Sequence, residues 1–197
     1  MEATTVWDRP ESSRRVALTR EAIVGAAIDI ADREGLVAVT VRRLAVELNA
    51  RPMSIYLYAR IESKEELYDL LIDEVCGEML LENLPKSWQQ ALTTAATAYR
   101  AVLLRHPWWI ELIGHDVSIG PNGIRYREQM RGAVASLKAS DQAKESVVVS
   151  VETFMVGHVA FALDERSAAV DASGLFATGL RWLISGIASD LGKPVGK

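Results

Sequence analysis

From Thr19 onward the chain carries apolar residues at helical spacing: Ala22, Ile23, Ala26, Ala27, Ile30 and Ala31 recur three and four positions apart. Thr19 is placed to cap this segment, Glu21 sits in the first turn, where an acid is favoured, and Gly35 follows its end. The spacing predicts a helix over 20–34. Thr40 caps a second helix over 41–48, with Val41, Leu44, Ala45 and Leu48 on its apolar side and Arg42, Arg43 and Glu47 off it. Asn49 tolerates the left-handed backbone in which helices stop, and Pro52 opens a third helix that runs to Arg60. Ile55 and either Leu57 or Ala59 are expected to face its packed side. Two short helices, a turn of about four residues and basic residues beside that turn describe a helix-turn-helix.

Ser63 and Glu66 have capping-box spacing, and the apolar positions Leu67, Leu70, Leu71, Val75 and Met79 predict a helix over 63–84, stopped by Pro85. Cys76 lies among them as a small core residue. Helices follow over 86–105, 108–115, 122–138, 142–163 and 173–191, with His106–Pro107 breaking the first pair and 118–123 reading as a loop. No strand pattern persists; the β-branched run at 147–151 lies inside a helical period. The fold class is therefore all-α, with about nine helices.

Composition narrows the function. Of 197 residues, 49% are apolar types and 24% charged, a foldable balance. One cysteine excludes an internal disulfide framework and a thiolate zinc cluster, and His106, His115 and His158 are too scattered for a metal motif, so neither metal nor cofactor is expected. The N-terminus lacks a long apolar stretch and no run of 18 apolar residues occurs, so a cytoplasmic protein without a membrane span is expected. Net charge is −4, but residues 9–64 hold ten bases against seven acids, and the excess of acid lies beyond them. A local basic footprint needs no basic chain. Residues 1–18, with Arg9, Arg14 and Arg15, read as a flexible arm: a solvated tail, or one that follows a phosphate backbone or minor groove.

The stretches LTREAIVGAAIDIADREG, TVRRLAVELNARPMSIY and SKEELYDLLID, across residues 18–75, resemble the tetracycline-repressor (TetR) family of bacterial transcription regulators. The later RHPWWIEL and GPNGIRY segments resemble the regulatory domain of its actinobacterial-type members. The resemblance implies three DNA-binding helices (residues 19–66), then a ligand-binding and dimerisation domain (67–197). It implies a homodimer built on the last two long helices, and repression of transcription relieved by a small molecule. By the same resemblance Thr40, Tyr56 and Lys64 match phosphate contacts. Arg42 and Arg43 lie beside Thr40, and Arg51, Pro52, Met53 and Ser54 match the turn and the start of the recognition helix. The chain is about two residues longer than the usual spacing between Asn49 and Lys64. Either Tyr56 or Tyr58 then holds the phosphate-facing role, and Arg60 joins Arg51 as a candidate for base or phosphate contact.

The second half is rich in aromatic residues and methionine, which suits an apolar cavity with a few polar anchors or plain core packing. Trp88, Tyr99, Trp109, Tyr126, Met130, Phe154 and His158 are the candidate effector contacts, with Tyr126 and His158 as polar anchors. Asp141, Glu145 and Glu152 read as solvent-facing charges. Gly157, Phe176, Gly179, Leu180, Leu183, Gly186 and Ile187 mix small and large apolar residues at the spacing of a close helix–helix interface, the candidate dimer contact. No acid–base pair or nucleophile arrangement appears, which sets aside an all-α enzyme. A helical interaction protein that keeps the fold without binding operator or inducer is the competing reading.

Overall fold

The computed structural model describes residues 18–115, 118–164 and 171–191, excepting the side chains of Tyr56, Tyr58 and Ala59. Most of the predicted N-terminal arm lies outside the described residues. Among them all regular structure is helical: α1 (Arg20–Glu34), α2 (Val41–Glu47), α3 (Pro52–Ala59), α4 (Lys64–Glu78), α5 (Trp88–Arg105), α6 (Pro121–Ala133), α7 (Asp141–Leu163) and α8 (Ala172–Leu191). Short 3-10 turns occupy Leu36–Ala38 and Pro107–Leu112. The chain forms two compact units: one holds the residues up to Glu78 together with Arg105–Ile124, the other Met79–Leu104 and the residues from Arg125 onward.

The first unit starts where its caps dictate. Thr19 Oγ1 accepts from Ala22 N–H at 3.1 Å and Thr40 Oγ1 from Arg43 N–H at 3.1 Å, each serving an amide that the first helical turn leaves without a partner. Gly35 ends α1 with φ +84°, and Asn49 after α2 takes φ +46°. Ser63 Oγ accepts from Glu66 N–H at 3.1 Å, while the Glu66 carboxylate reaches back to Glu62 N–H at 2.7 Å. That reciprocal cap sets the start of α4. Ser63→Ala is expected to cost about 1 kcal/mol of stability, read as a shift in urea midpoint at constant slope. The core beneath these helices is Ile23, Ile30, Leu44, Ile55 and Leu71, all at most 2% exposed.

Two helix ends differ from the sequence reading. α4 stops at Glu78 rather than near Leu84. Gln129 explains it: its amide donates to Met79 O at 3.0 Å and its side-chain oxygen accepts from Leu81 N–H at 2.7 Å. A side chain from α6 thus satisfies the backbone that further helix would have used. α6 ends at Ala133 rather than 138 because Val134, Ala135 and Leu137 donate to carbonyls three residues back. These tighter turns still bury Val134 and Leu137. The predicted helix over 108–115 is the 3-10 segment Pro107–Leu112.

Candidate functional site

The helix-turn-helix leaves most of its polar candidates open to solvent. Thr40, Arg42, Arg51, Pro52, Met53, Arg60 and Lys64 are exposed and Ser54 is half-buried. Thr40 and Lys64 share the lining of a hollow of about 210 Å³ with Val41, Leu44, Ile55 and Leu67, so residues from the starts of α2 and α4 meet at one place. Lys64 Nζ stands 5.2 Å from the centre of the Tyr68 ring. The tyrosine alternatives, Tyr56 and Tyr58, have side chains outside the described set. After α3 Arg60 turns left-handed at φ +52°, and Ile61 then buries.

Arg43 occupies a different environment from its neighbour Arg42. It pairs with Glu34 at 2.7 Å and Glu47 at 2.8 Å, and Arg33 joins Glu47 at 2.9 Å. The Arg43 hydrogen bonds hold both carboxyls below the usual carboxylate range. Its charge is therefore compensated within the protein, and it ties α1 to α2. Of the two alternatives for the packed side of α3 beside Ile55, Leu57 points out and the side chain of Ala59 lies outside the described set. Ile55 packs inward, but Leu57 is 69% exposed and Met53 78%, so the open face of α3 is partly apolar. Such a face suits contact with thymine methyl groups.

A second cluster in the same unit escaped the sequence reading. His106 is buried; its Nδ1 contacts the Asp32 carboxylate at 2.9 Å, and Nε2 lies 3.3 Å from Glu78. Trp108 Nε1–H donates to Asp32 at 2.6 Å, and Arg105 pairs with Glu78. This joins α1 and α4 to the 3-10 segment, where the sequence showed only the helix break at His106–Pro107. Two buried acids of α4 act similarly: Asp69 accepts from Ser118 N–H at 3.1 Å and Asp73 from Gly123 N–H at 2.8 Å, in the first turn of α6. Their positions four residues apart on an apolar helix face were the visible signal.

The second unit holds most effector candidates. Trp88, Tyr99, Met130 and His158 are buried, and Tyr126 and Phe154 are half-buried; Trp109 belongs to the first unit. Tyr99 and Tyr126 stack at 5.8 Å, and Phe154, His158 and Phe176 form a ring cluster with centres 5.1–6.2 Å apart. Glu152 is not the solvent-facing charge expected: it is half-buried, and Tyr126 Oη donates to it at 3.1 Å. Burial pushes its carboxyl up, against the Tyr126 hydrogen bond. Burial, aided by Arg100, pushes the His158 imidazole down. Arg100, absent from the sequence candidates, places its guanidinium 5.0 Å from the Phe176 ring centre.

The interface candidates divide. Phe176 and Leu180 are buried within the protomer, and Leu183 and Ile187 are half-buried. A Cβ on Gly179 would meet the Phe154 ring at 2.8 Å, so that glycine admits close packing of α8 on α7 inside one chain. Gly157 and Gly186 are exposed with open space before them.

Comparison with known proteins bears on both units. Residues 82–174 match the family described as tetracyclin repressor-like, C-terminal domain. An HTH-type transcriptional regulator of Saccharopolyspora erythraea is 32% identical over 158 residues, covering 78% of this chain and 66% of the relative. The HTH-type transcriptional repressor DrrR1 of Streptomyces coeruleorubidus is 31% identical, covering 77% and 57%. The chain thus spans between about half and two thirds of the length of these curated relatives. Among solved structures, the TetR family protein ActR of Streptomyces coelicolor, in complex with (S)-DNPA, is similar with a TM-score of 0.74 and 26% identity, covering 89% of this chain and all of that one.

Proposed function

The chain belongs to the TetR family of transcriptional regulators, and on that premise we propose that it is a homodimeric, cytoplasmic repressor that leaves its operator DNA when a small apolar or aromatic effector binds. The observation that carries the DNA reading is the exposure of Thr40, Arg42, Arg51 and Lys64 on a helix-turn-helix, with Thr40 and Lys64 beside one hollow. Phosphate contacts position such a reader, and base edges and methyl groups specify it. In this reading Thr40, Arg42 and Lys64 hold phosphate, with Tyr56 or Tyr58, while α3 enters the major groove behind Arg51 and Met53. Arg43, balanced by two glutamates, supports the reader rather than touching DNA.

Support for the dimer comes from α7 and α8. Val149, Phe161 and Leu163 on α7 and Leu175 and Trp182 on α8 are large apolar residues left exposed. On α7 the small residues Ser146, Ser150, Gly157 and Ala160 accompany them on the open side. α7 is long and apolar enough to cross a membrane, with a window of mean hydropathy 1.7. A two-fold helical interface accounts for that apolar face in a DNA-binding regulator. Support for effector response comes from the aromatic second unit and from ActR, solved with a small molecule.

Fluorescence anisotropy with inverted-repeat DNA from upstream of the gene tests the reading. Selective binding that falls steeply with salt is expected, and equal affinity for a scrambled duplex would leave the interaction-protein reading in its place. Lys64→Ala is expected to weaken binding to all duplexes and to reduce the log–log salt slope by about one. Thr40→Ala removes no charge, so it weakens binding with nearly the same slope. An unchanged slope for Lys64→Ala removes that lysine from the phosphate contacts.

A further inference from the structure

The effector reading above asks only for a small apolar or aromatic molecule, and the polar atoms of the second unit narrow that class. α5, α7 and α8 bring Arg100, Phe154, His158 and Phe176 together: Arg100 and His158 both lean on the Phe176 ring, with centres 5.0 and 5.1 Å away. His158 is 7% exposed, and its Nε2 is buried without a hydrogen-bond partner; the Nε of Arg100 is in the same condition. The remaining hydrogen bond of Arg100 is a long one, from a terminal nitrogen to Ser173 Oγ at 3.4 Å. Arg33, Arg43 and Arg105 all pair with carboxylates, whereas Arg100 has no such pair among the described residues. Asp171, two residues before Ser173, accepts from Gly174 N–H at 3.0 Å to cap α8.

A guanidinium N–H and a buried imidazole nitrogen without partners are costly to keep, and native proteins retain such groups where something else satisfies them. The surroundings say what that is. Two phenyl rings and an imidazole ring wall the cluster, which favours a flat apolar body. One uncompensated cation at its edge, half-buried with an exposed serine beside it, favours a single negative charge over a doubly charged phosphate, whose desolvation one arginine would not repay. The planar fork of an arginine matches a carboxylate with two parallel hydrogen bonds.

We propose that Arg100 and His158 form the anion-recognising end of the effector site, and that the effector is a planar aromatic compound bearing one carboxylate, its charge on these two residues and its rings against Phe154 and Phe176. This rests on the effector reading for its biological role, but the binding chemistry stands on the cluster alone.

The test is calorimetric titration of the full-length protein with benzoate, 2-naphthoate and anthracene-2-carboxylate, each beside its neutral primary amide. At least one carboxylate is expected to bind about tenfold or more tightly over its amide, the weight of a charge-assisted hydrogen bond. Arg100→Met, which keeps an apolar stem on Phe176, is expected to erase that preference, and Arg100→Lys to restore part of it. Circular-dichroism melts confirm that the variants fold, and His158→Gln serves as a second probe should Arg100→Met fail to fold. No carboxylate preferred over its amide, or a preference that survives in Arg100→Met, overturns the assignment. The same compounds are added to the operator complex. Neutral aromatics alone binding and releasing DNA would keep the effector reading and discard the anion site. A carboxylate that binds through Arg100 and leaves DNA affinity unchanged would keep the site and discard the effector reading.

Discussion

Trp108→Ala is expected to lower the unfolding free energy by about 3–5 kcal/mol, among the larger losses a single core truncation produces. The indole is 1% exposed, stands edge-on to His106 at 6.0 Å and donates to Asp32 at 2.6 Å. Truncation leaves a cavity and takes from Asp32 one of the two groups that hold it. Trp108→Phe separates the contributions: it keeps most of the apolar volume and removes the hydrogen bond to a carboxylate, for about 1.5–3 kcal/mol. Urea denaturation followed by far-ultraviolet circular dichroism reads both. A loss below about 1 kcal/mol for the alanine variant, the ordinary value for a point substitution, would mean that the 3-10 segment contributes little to the first unit.

Gly157→Leu is expected to convert the proposed homodimer to monomer at micromolar concentration and to lower operator affinity by about 10²–10⁴-fold, because two half-sites then lose their shared tether. Gly157 is exposed on α7, no atom of its own chain stands within 4 Å of a Cβ there, and Ala160 and Phe161 are exposed one turn on. Leucine is a better helix former than glycine, so loss of assembly would come from a blocked interface and not from a broken helix. Gly132→Leu is the control, since that glycine lies on α6 and a Cβ there also meets no atom within 4 Å. Sedimentation velocity and anisotropy on the same samples test this. A Gly157→Leu dimer with full operator affinity places the interface elsewhere.

Helix beginnings were legible because their signals are local. Thr19, Thr40 and Ser63 each serve an amide three residues on, and Gly35 and Asn49 carry the positive φ that their residue types favour. Arg60 also takes positive φ, and nothing about an arginine announces that; the buried Ile61 after it gives the reason. Helix ends were harder. Pro85 marked the last place at which α4 could stop, but Gln129, some fifty residues away, stops it at Glu78.

Chemistry followed the same division. By itself the sequence determined that the protein is all-α, that a helix-turn-helix lies near its start, and that basic residues flank the turn, because periodicity, caps and charge are properties of neighbours within one or two helical turns. Only the tertiary structure decided which charges are already balanced and which are not. Arg42 and Arg43 are adjacent and alike in sequence, yet Arg43 meets Glu34 and Glu47. His106 finds Asp32 across 74 positions, while Arg100 and His158 come together on Phe176 with nitrogens left over. A side chain's role depends on what sits within a hydrogen bond's reach, and helix packing sets that distance for residues that chain order keeps far apart.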